Sequence, residues 1–538
     1  MRNGSGRETT MRNRKSSIFV FVLAAAALYG PAARADPPGP VVETREGPVR
    51  GLRAGGIDKF LGIPYAAAPA GDLRWQPPRA HPRWKGVRDA TQFANHCPQV
   101  ASPFGLASTT EDCLFLNVFA PAHGHGAEDE FDEPLPVMVW FHGGALLVGE
   151  SDDYDPARLV HEGVIVVTVN YRLGALGFLA HPALTAESPD HASGNYGLMD
   201  QQAALRWVQD NIRKFRGDPG RVTIFGESAG GLSVHSHLAS PLAAGLFHRA
   251  IVESGAYALS QPSLSQAEAL GTLFANLLGC TDQTAACLRA APVASVLAAF
   301  AATRVASVIP DVDGKVLTQT VGAAFASGQF NRVPVIEGSN HDEWRLFVAL
   351  NIDLVTGPLA PGQYVGAIAA TLGVPLATAG ALASFYPLAR FPSPDLALSA
   401  LGTDAIFACN SRKAARLLSP FVPTHAYEFN DENAPQLFLP PVSFPYGSAH
   451  ASEIQYLFDL RSTVPAPPLA ADQRRLSEAM VAYWTNFAKL GTPNWIGTPF
   501  WPAYERTADQ MQSLVPPQPL VESGFAIDHK CAIWAPAP

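Results

Sequence analysis

The sequence predicts an α/β protein built on a large, mostly parallel central sheet that is flanked by helices. Two runs of strand length, residues 135–141 and 164–170, are apolar and rich in β-branched side chains. Buried parallel strands have this composition because both of their faces are covered. Helical stretches lie between and after these runs, and strands that alternate with helices favour a parallel sheet.

The clearest helix is predicted over residues 200–215, where apolar residues recur at every third or fourth position. The Gly-Asp-Pro run at 217–219 should end this helix, because proline cannot continue it. Residues 221–225 then predict a third strand.

The regions before and after these strands have different patterns. Residues 41–44 and 48–52 are short β-like runs that predict a small hairpin region. The Ala-rich segment 259–401 predicts a helical region that is interrupted only by the run 333–338. No repeat of fixed period and no Pro-, Gly- or Ser-rich linker divides the chain. We therefore predict a leader over 1–35 and a single domain over 36–538.

The leader has the features of an export signal. Three cations between residues 12 and 15 precede the apolar stretch 18–28, and Ala-Arg-Ala at 33–35 offers the small residues that a signal peptidase reads. The apolar stretch is too short to span roughly 30 Å of hydrocarbon. We expect cleavage before Asp36, a secreted or periplasmic protein, a soluble mature chain and no stable membrane anchor.

Composition and charge exclude several classes of protein. The chain is 47% hydrophobic and 16% charged, which indicates a large buried interior. Residues 1–35 hold six Lys and Arg against one Glu, so the formal net charge of −9 becomes −14 for the rest. A chain with this negative net charge repels nucleic acid. No C-x-x-C pair and no H-E-x-x-H run occurs, so we predict no metal site.

The cysteine count suits disulfides added to an already sufficient core. Six cysteines are an even number in an exported chain, which allows three bridges. Spacing alone does not choose among the pairings, although Cys280 and Cys287 are close enough to clip one loop.

A candidate nucleophile follows the third predicted strand. Residues 221–225 run into the sequence GESAGG, which is centred on Ser228, and an apolar stretch that can form a helix comes next. A serine in a strained turn between strand and helix needs glycine two residues before and two after it. Gly226 and Gly230 occupy these positions, so we predict that Ser228 is a nucleophile.

A serine hydroxyl needs a base that removes its proton. His235 lies seven residues further along the predicted helix, roughly 10 Å away, and is too distant. The order nucleophile, acid, base that accompanies this turn directs attention to His450. For the acid, Asp342 and Glu343 both follow the strand-like run 333–336, and chemistry, order and spacing leave both open. We interpret the histidines without a feature of their own as surface or packing residues: His248, His341 and His529.

Five further motifs precede the GESAGG sequence in the chain, which makes six in order. They are FLGIPYA from Phe60, EDCLFLNV from Glu111, FHGGA from Phe141, NYRLGALGFL from Asn170, GNYGLMDQQAALRWVQDNI from Gly194 and GESAGG from Gly226. With these motifs the chain resembles type-B carboxylesterases, the α/β-hydrolase family that includes cholinesterases and some fungal lipases. The similarity extends over residues 47–534, and it implies an α/β-hydrolase fold with a helical insertion.

The resemblance implies a role for each candidate. The family's acid falls on Glu343, and Trp344 stands where the family has glycine, which puts the shape of the pocket there in question. The family's base falls on His450. The oxyanion hole falls on the amides of Gly144, Ala145 and Ala229. Ala145 replaces a frequent glycine and Leu146 a frequent Phe, and both still offer a backbone donor.

Further residues match family positions away from the reacting atoms. Glu227 and Ser254 match residues near the triad, and Arg74 and Glu111 match a structural salt bridge. The implied disulfides are Cys97–Cys113, Cys280–Cys287 and Cys409–Cys531. The loop 98–112 is short where the lipase branch has a long lid, so we expect no interfacial activation.

We therefore expect a serine carboxylic ester hydrolase that acts on a small-molecule or lipid-like ester, without a cofactor or a nucleic-acid partner. An acyltransferase or an amidase with the same triad is an alternative. A non-catalytic binding protein of this family is another, but such members have typically lost a triad residue. The sequence predicts neither the natural ester nor the oligomeric state.

Overall fold

An eleven-stranded sheet runs through the protein, whose computed structural model describes residues 39–122, 133–305 and 308–534. The predicted leader over 1–35 lies outside these residues. The strands are β1 (Val41–Glu43), β2 (Pro48–Arg50), β3 (Leu52–Ala54), β4 (Ile57–Pro64), β5 (Arg88–Asp89), β6 (Phe115–Pro121), β7 (Leu135–Phe141), β8 (Tyr154–Asp155), β9 (Ile165–Val169), β10 (Gly217–Glu227), β11 (Arg249–Glu253), β12 (Val335–Asn340), β13 (Thr424–Phe429), β14 (Asp459–Leu460), β15 (Met511–Leu514) and β16 (Leu520–Glu522).

The sheet is mostly parallel, as predicted. Its order is β16-β15-β13-β12-β11-β10-β7-β9-β6-β4-β3, and neighbours from β15 to β9 are parallel. The three strands predicted from their composition, β7, β9 and β10, lie side by side at the centre. The predicted hairpin is also present, since β1 pairs antiparallel with β2 in a small separate sheet.

Both faces of the central strands are buried. In β7, Val137 and Val139 belong to one hydrophobic core, whereas Met138 and Trp140 belong to a second core on the other face. Alternate side chains of a strand point to opposite faces, so an apolar strand can serve two cores at once.

Helices cover these faces, and further helices pack in hydrophobic cores that contain no strand residues. They are α1 (Ala157–His161), α2 (Gly174–Phe178), α3 (Pro182–Glu187), α4 (Tyr196–Asn211), α5 (Ala229–Ala239), α6 (Leu264–Leu278), α7 (Ala285–Ala290), α8 (Val293–Ala302), α9 (Val321–Ser327), α10 (Trp344–Val348), α11 (Leu354–Thr356), α12 (Tyr364–Leu372), α13 (Leu376–Ala383), α14 (Pro394–Gly402), α15 (Cys409–Leu418), α16 (Ala471–Leu490), α17 (Phe525–Asp528) and α18 (Cys531–Trp534). The segment predicted as helical, 259–401, contains α6 to α14, and β12 crosses it.

The helix predicted over 200–215 begins earlier than expected. It starts at Tyr196 as α4, passes into a 3-10 turn over Ile212–Phe215 and ends at Arg216, whose φ of 70° is left-handed. The Gly-Asp-Pro run does not end it, because Gly217 already pairs with Leu135 as the first residue of β10. The left-handed residue therefore ends the helix before the proline does.

Covalent and ionic links hold the outer segments. The structure contains the disulfides Cys97–Cys113, Cys280–Cys287 and Cys409–Cys531. Arg74 and Glu111 form a two-armed, largely buried salt bridge with both N···O distances at 2.6 Å. In the described ranges no single helix is long and apolar enough to cross a membrane. The segments Pro361–Leu372 and Leu376–Arg390 pass that test only as a pair, bent by 113°.

Candidate active site

Ser228 lies at the sharp turn between β10 and α5. Its φ of 55° and ψ of −117° are strained for a residue other than glycine. The turn fits because its neighbours have no side chain: a Cβ on Gly230 would lie 1.9 Å from the carbonyl oxygen of Phe141, and one on Gly226 would lie 2.6 Å from it. The glycine pattern therefore follows from close backbone packing, and it leaves Ser228 on the wall of a cavity.

His450 and Glu343 meet beside this cavity. His450 Nδ1 lies 2.5 Å from Glu343 Oε2, and the amide of His450 donates to the Glu343 carbonyl at 3.4 Å. The other carboxylate oxygen, Oε1, accepts from the hydroxyl of Ser254 at 2.6 Å and from the amide of Asn340 at 2.8 Å. Both carboxylate oxygens of Glu343 are thus engaged, which fixes the carboxylate against the imidazole.

Asp342, the other candidate acid, points elsewhere. Its carboxylate accepts from the amide of Ser448 at 3.1 Å and lies 2.8 Å from the guanidinium of Arg345. The nearest imidazole to it is His341, 3.2 Å away. Of the two acids that the sequence left open, only Glu343 contacts His450.

The second nitrogen of His450 lies beside Glu227. His450 Nε2 has no hydrogen-bond partner, and neither does Glu227 Oε1, although the two atoms are 3.2 Å apart. Ser228 and His450 line the same cavity without a hydrogen bond between them. In sites without substrate such contacts are often long and tighten when substrate binds.

Carboxyl groups shift the titration of this site. Burial lowers the pKa of His450, but Glu227 and Glu343 outweigh burial and raise it to about 9. Burial raises the pKa of Glu227 well above its usual range. Burial and the charge of Glu343 raise the pKa of Glu453 to about 7, and burial together with Glu453 raises that of Glu253 to about 8. The cluster therefore retains protons near neutral pH.

The three predicted oxyanion residues border Ser228. Gly144 and Ala145 have left-handed φ values of 96° and 58°. Gly143, which precedes them, is packed against Ser228, since a Cβ on Gly143 would lie 3.2 Å from Ser228 Cβ. Ala229 is the first residue of α5, where amides have no partner within the helix. Gly144 and Ala145 thus line the same cavity as Ser228, and Ala229 directly follows Ser228 in the chain.

The cavity has a volume of about 1180 Å³ and a mostly apolar wall. Trp344 lies on this wall and stacks on Phe347 at 4.5 Å between ring centroids. Phe347 and Phe407 in turn pack against the His450 ring at 5.1 Å and 4.8 Å. Trp344 thus occupies cavity space close to His450, at the position where the family has glycine.

The sequence did not single out several polar residues behind the triad. Asn340 donates to the carbonyl of Ala449 at 2.9 Å and to Glu453 at 2.5 Å, and Trp484 donates to Glu253 at 2.8 Å. Of these residues, only Glu453 could have been found from the sequence, because it follows the predicted base His450 by three residues.

Two histidine and carboxylate groups lie close enough to hold a cation: His96, Glu150 and Asp152 in one, and His341, Glu428 and His529 in the other. Both nitrogens of His96 and of His529 are already paired with carboxylates. His235 is likewise buried and lies 2.7 Å from Glu337. These contacts are ion pairs and hydrogen bonds within the protein. That no cofactor is required stays a prediction.

Comparison with known proteins finds similar sequences over most of the chain. The model of the carboxylesterase family matches residues 38–534. Pyrethroid hydrolase Ces2e of Rattus norvegicus is 36% identical over 90% of this chain and 87% of its own. Acylcarnitine hydrolase of Mus musculus is 34% identical over 89% and 88%. Fumonisin B1 esterase of Sphingopyxis macrogoltabida is 35% identical over 94% and 92%.

Proposed function

Because this chain belongs to the carboxylesterase family and is a carboxylic ester hydrolase, we propose that it cleaves esters through an acyl-enzyme on Ser228, with His450 as base and Glu343 as orienting acid. The observation that carries this proposal is the 2.5 Å contact of Glu343 with His450, which lines the same cavity as Ser228. A nucleophile, its base and the group that orients the base are thereby close together.

The reaction has two halves. Ser228 Oγ attacks the ester carbonyl while His450 Nε2 takes its proton, and the imidazolium then protonates the departing alcohol. Water repeats the sequence on the acyl-enzyme, which releases the acid and restores Ser228. Glu343 holds the tautomer with the proton on Nδ1 and stabilises the imidazolium.

The amides of Gly144, Ala145 and Ala229 hold the negative charge that develops on the carbonyl oxygen. A preorganised donor of this kind lowers the barrier by about 3 kcal/mol. These amides belong to backbone that is packed against the nucleophile, so little rearrangement is needed during the reaction. Glu227 and Ser254 act through the triad: Ser254 by its bond to Glu343, and Glu227 by its charge beside His450.

Hydrolysis of a short nitrophenyl ester tests the nucleophile. Ser228→Ala should lose activity by about a thousandfold or more. Ser236→Ala is the matched control, because Ser236 lies on the same helix and its hydroxyl bonds only to the carbonyl of Leu232. A fluorophosphonate should label Ser228 in wild type and in the control. Wild-type rates in Ser228→Ala, or labelling at another residue, would contradict the proposal.

We also propose that residues 36–538 are a single catalytic domain that is exported after cleavage before Asp36. The chain from Gly39 onward clusters as one compact unit, and three disulfides are typical of proteins that fold in an oxidising compartment. N-terminal sequencing of protein from the periplasm and the medium tests this. Material that stays in the cytoplasm with residues 1–35 attached would contradict it.

A further inference from the structure

Apart from the imidazole of His450, the ionisable side chains on the described wall of the cavity are all acidic. Among the described residues that line it, Asp153 and Glu227 are the charged side chains besides the catalytic imidazole, and none is Lys or Arg. Most of the remaining wall is apolar. A substrate in this cavity therefore meets carboxyl groups and no fixed cation.

Asp153 stands close after the predicted oxyanion loop. It ends the short 3-10 helix Ser151–Asp153, and the next residue, Tyr154, also lines the cavity. The Asp153 side chain keeps 18% of its surface exposed. A carboxylate so far removed from water is costly unless a cation compensates it.

The cations of the protein compensate the negative charge of Asp153 only in part. Nη2 of Arg461 lies 3.1 Å from Asp153 and 2.9 Å from Glu150, so one guanidinium serves two carboxylates. His96 lies 3.1 Å from Glu150 and 3.0 Å from Asp152. Three carboxylates thus face one guanidinium and one imidazole. The group keeps excess negative charge even when His96 is protonated.

The second carboxyl group on the wall, Glu227, already interacts with the catalytic imidazole. Glu227 is only 3% exposed, and its Oε1 lies 3.2 Å from His450 Nε2. Of the two carboxyl groups on the wall, Asp153 is therefore the one that belongs to the Arg461 group and not to the triad.

We propose that Asp153 is a specificity-determining residue, and that its carboxylate pairs with a protonated amine or a quaternary ammonium on an otherwise apolar ester. The proposal deepens the proposed function and rests on it. The attraction is strong because the apolar wall screens charge less than water does. The same charge repels esters that carry a carboxylate, and apart from the catalytic imidazole the wall offers them no cation in return.

Isosteric esters that differ only in charge test this. The first pair is the trimethylammonioethyl ester of butyric acid and its uncharged 3,3-dimethylbutyl isostere, which places the charge in the alcohol. The second pair is ethyl 4-(trimethylammonio)butyrate and ethyl 5,5-dimethylhexanoate, which places it in the acyl group. Burial and the charge of Glu150 raise the pKa of Asp153 to about 7. The assay is therefore run at about pH 8.5, where this carboxylate is ionised.

The readout is the ratio of kcat/KM for the charged ester to that for its neutral isostere. In at least one pair, Asp153→Asn should lower this ratio by about tenfold or more. Asp152→Asn is the matched control, because Asp152 pairs with His96 and is not on the cavity wall; its ratio should stay at the wild-type value. Monoethyl succinate should be a poorer substrate than ethyl butyrate.

The outcomes separate this proposal from the one it rests on. Equal ratios in wild type and Asp153→Asn for both pairs, or faster hydrolysis of monoethyl succinate, would overturn the role of Asp153 alone. The neutral esters would then still be hydrolysed in a manner that requires Ser228. If wild type hydrolysed none of these esters, the proposed function would fail, and this proposal with it.

Discussion

Asp342 and Ser448 hold each other by two hydrogen bonds. The amide of Asp342 donates to the carbonyl of Ser448 at 3.1 Å, and the amide of Ser448 donates to the Asp342 carboxylate at 3.1 Å. The acid loop and the base loop are therefore joined next to both Glu343 and His450. The residue beside the proposed acid links the loops, and the acid itself contacts the imidazole.

The first prediction compares these two neighbours. Glu343→Gln should lower kcat by about a thousandfold or more, because an amide neither fixes the tautomer of His450 nor stabilises the imidazolium. Asp342→Asn should cost only a few-fold in kcat, since the amide oxygen can still accept from Ser448. Steady-state kinetics, normalised by titration of active sites, measures both. A larger loss in Asp342→Asn would show that the acid is assigned to the wrong residue.

The second prediction concerns pH. His450 must be neutral to act as base, and the carboxyl groups around it raise its pKa, so activity should be lost on acidification with a midpoint above the usual value of about 6.5. Glu227→Gln removes one source of this shift and should move the midpoint to lower pH. The pH profile of kcat/KM on a neutral ester measures it. If the midpoint is unchanged or raised in Glu227→Gln, Glu227 does not contribute to the raised pKa of His450.

The third prediction tests the packing of the turn around Ser228. Gly230→Ala should lower the free energy of unfolding by about 2–4 kcal/mol and abolish activity, because the new Cβ would lie 1.9 Å from the Phe141 carbonyl. Gly380→Ala is the control: it lies inside α13, and nothing is within 4 Å of its added Cβ. It should be neutral or raise stability by up to about 1 kcal/mol. Denaturant unfolding and esterase assays compare the two, and similar effects would contradict this explanation.

The sequence predicted those features whose cause lies in a few neighbouring residues. The turn at Ser228 was recognisable because Gly226 and Gly230 meet a local steric need, and β7 was recognisable because an apolar run of strand length is buried on both faces. Asp342 and Glu343 could not be separated by spacing, because they differ only in which contacts they make with a loop more than a hundred residues away.

The cluster behind the triad was out of reach for the same reason. Glu253, Asn340 and Glu453 come from three separate segments, and only the folded sheet brings them together. The start of α4 was missed because its first turn contains a glycine, Gly197, which is a weak helix former whose place is set by packing against the Phe178 ring and the Arg172 carbonyl.

The last prediction concerns His529, which the sequence predicts to be a surface or packing residue. His529 is buried, and its two nitrogens lie 2.7 Å from Asp404 and 2.5 Å from Glu428. Burial lowers its pKa, but the carboxylates outweigh burial and raise the pKa to about 10. A raised pKa means that the folded protein binds this proton more tightly than the unfolded chain does, so the stabilisation is complete below about pH 6.5 and is lost as pH rises towards 10.

We therefore expect the free energy of unfolding to fall across this range more steeply in wild type than in His529→Gln. His248→Gln is the control, since burial lowers the pKa of His248 and its replacement removes no such proton. Denaturant unfolding at several pH values measures the slopes. Parallel curves for wild type and His529→Gln would show that the imidazolium is not held between the two carboxylates. If the free energy of unfolding of wild type exceeds that of His529→Gln by an amount that grows towards low pH, the imidazolium joins the C-terminal segment to β13 as a charged link.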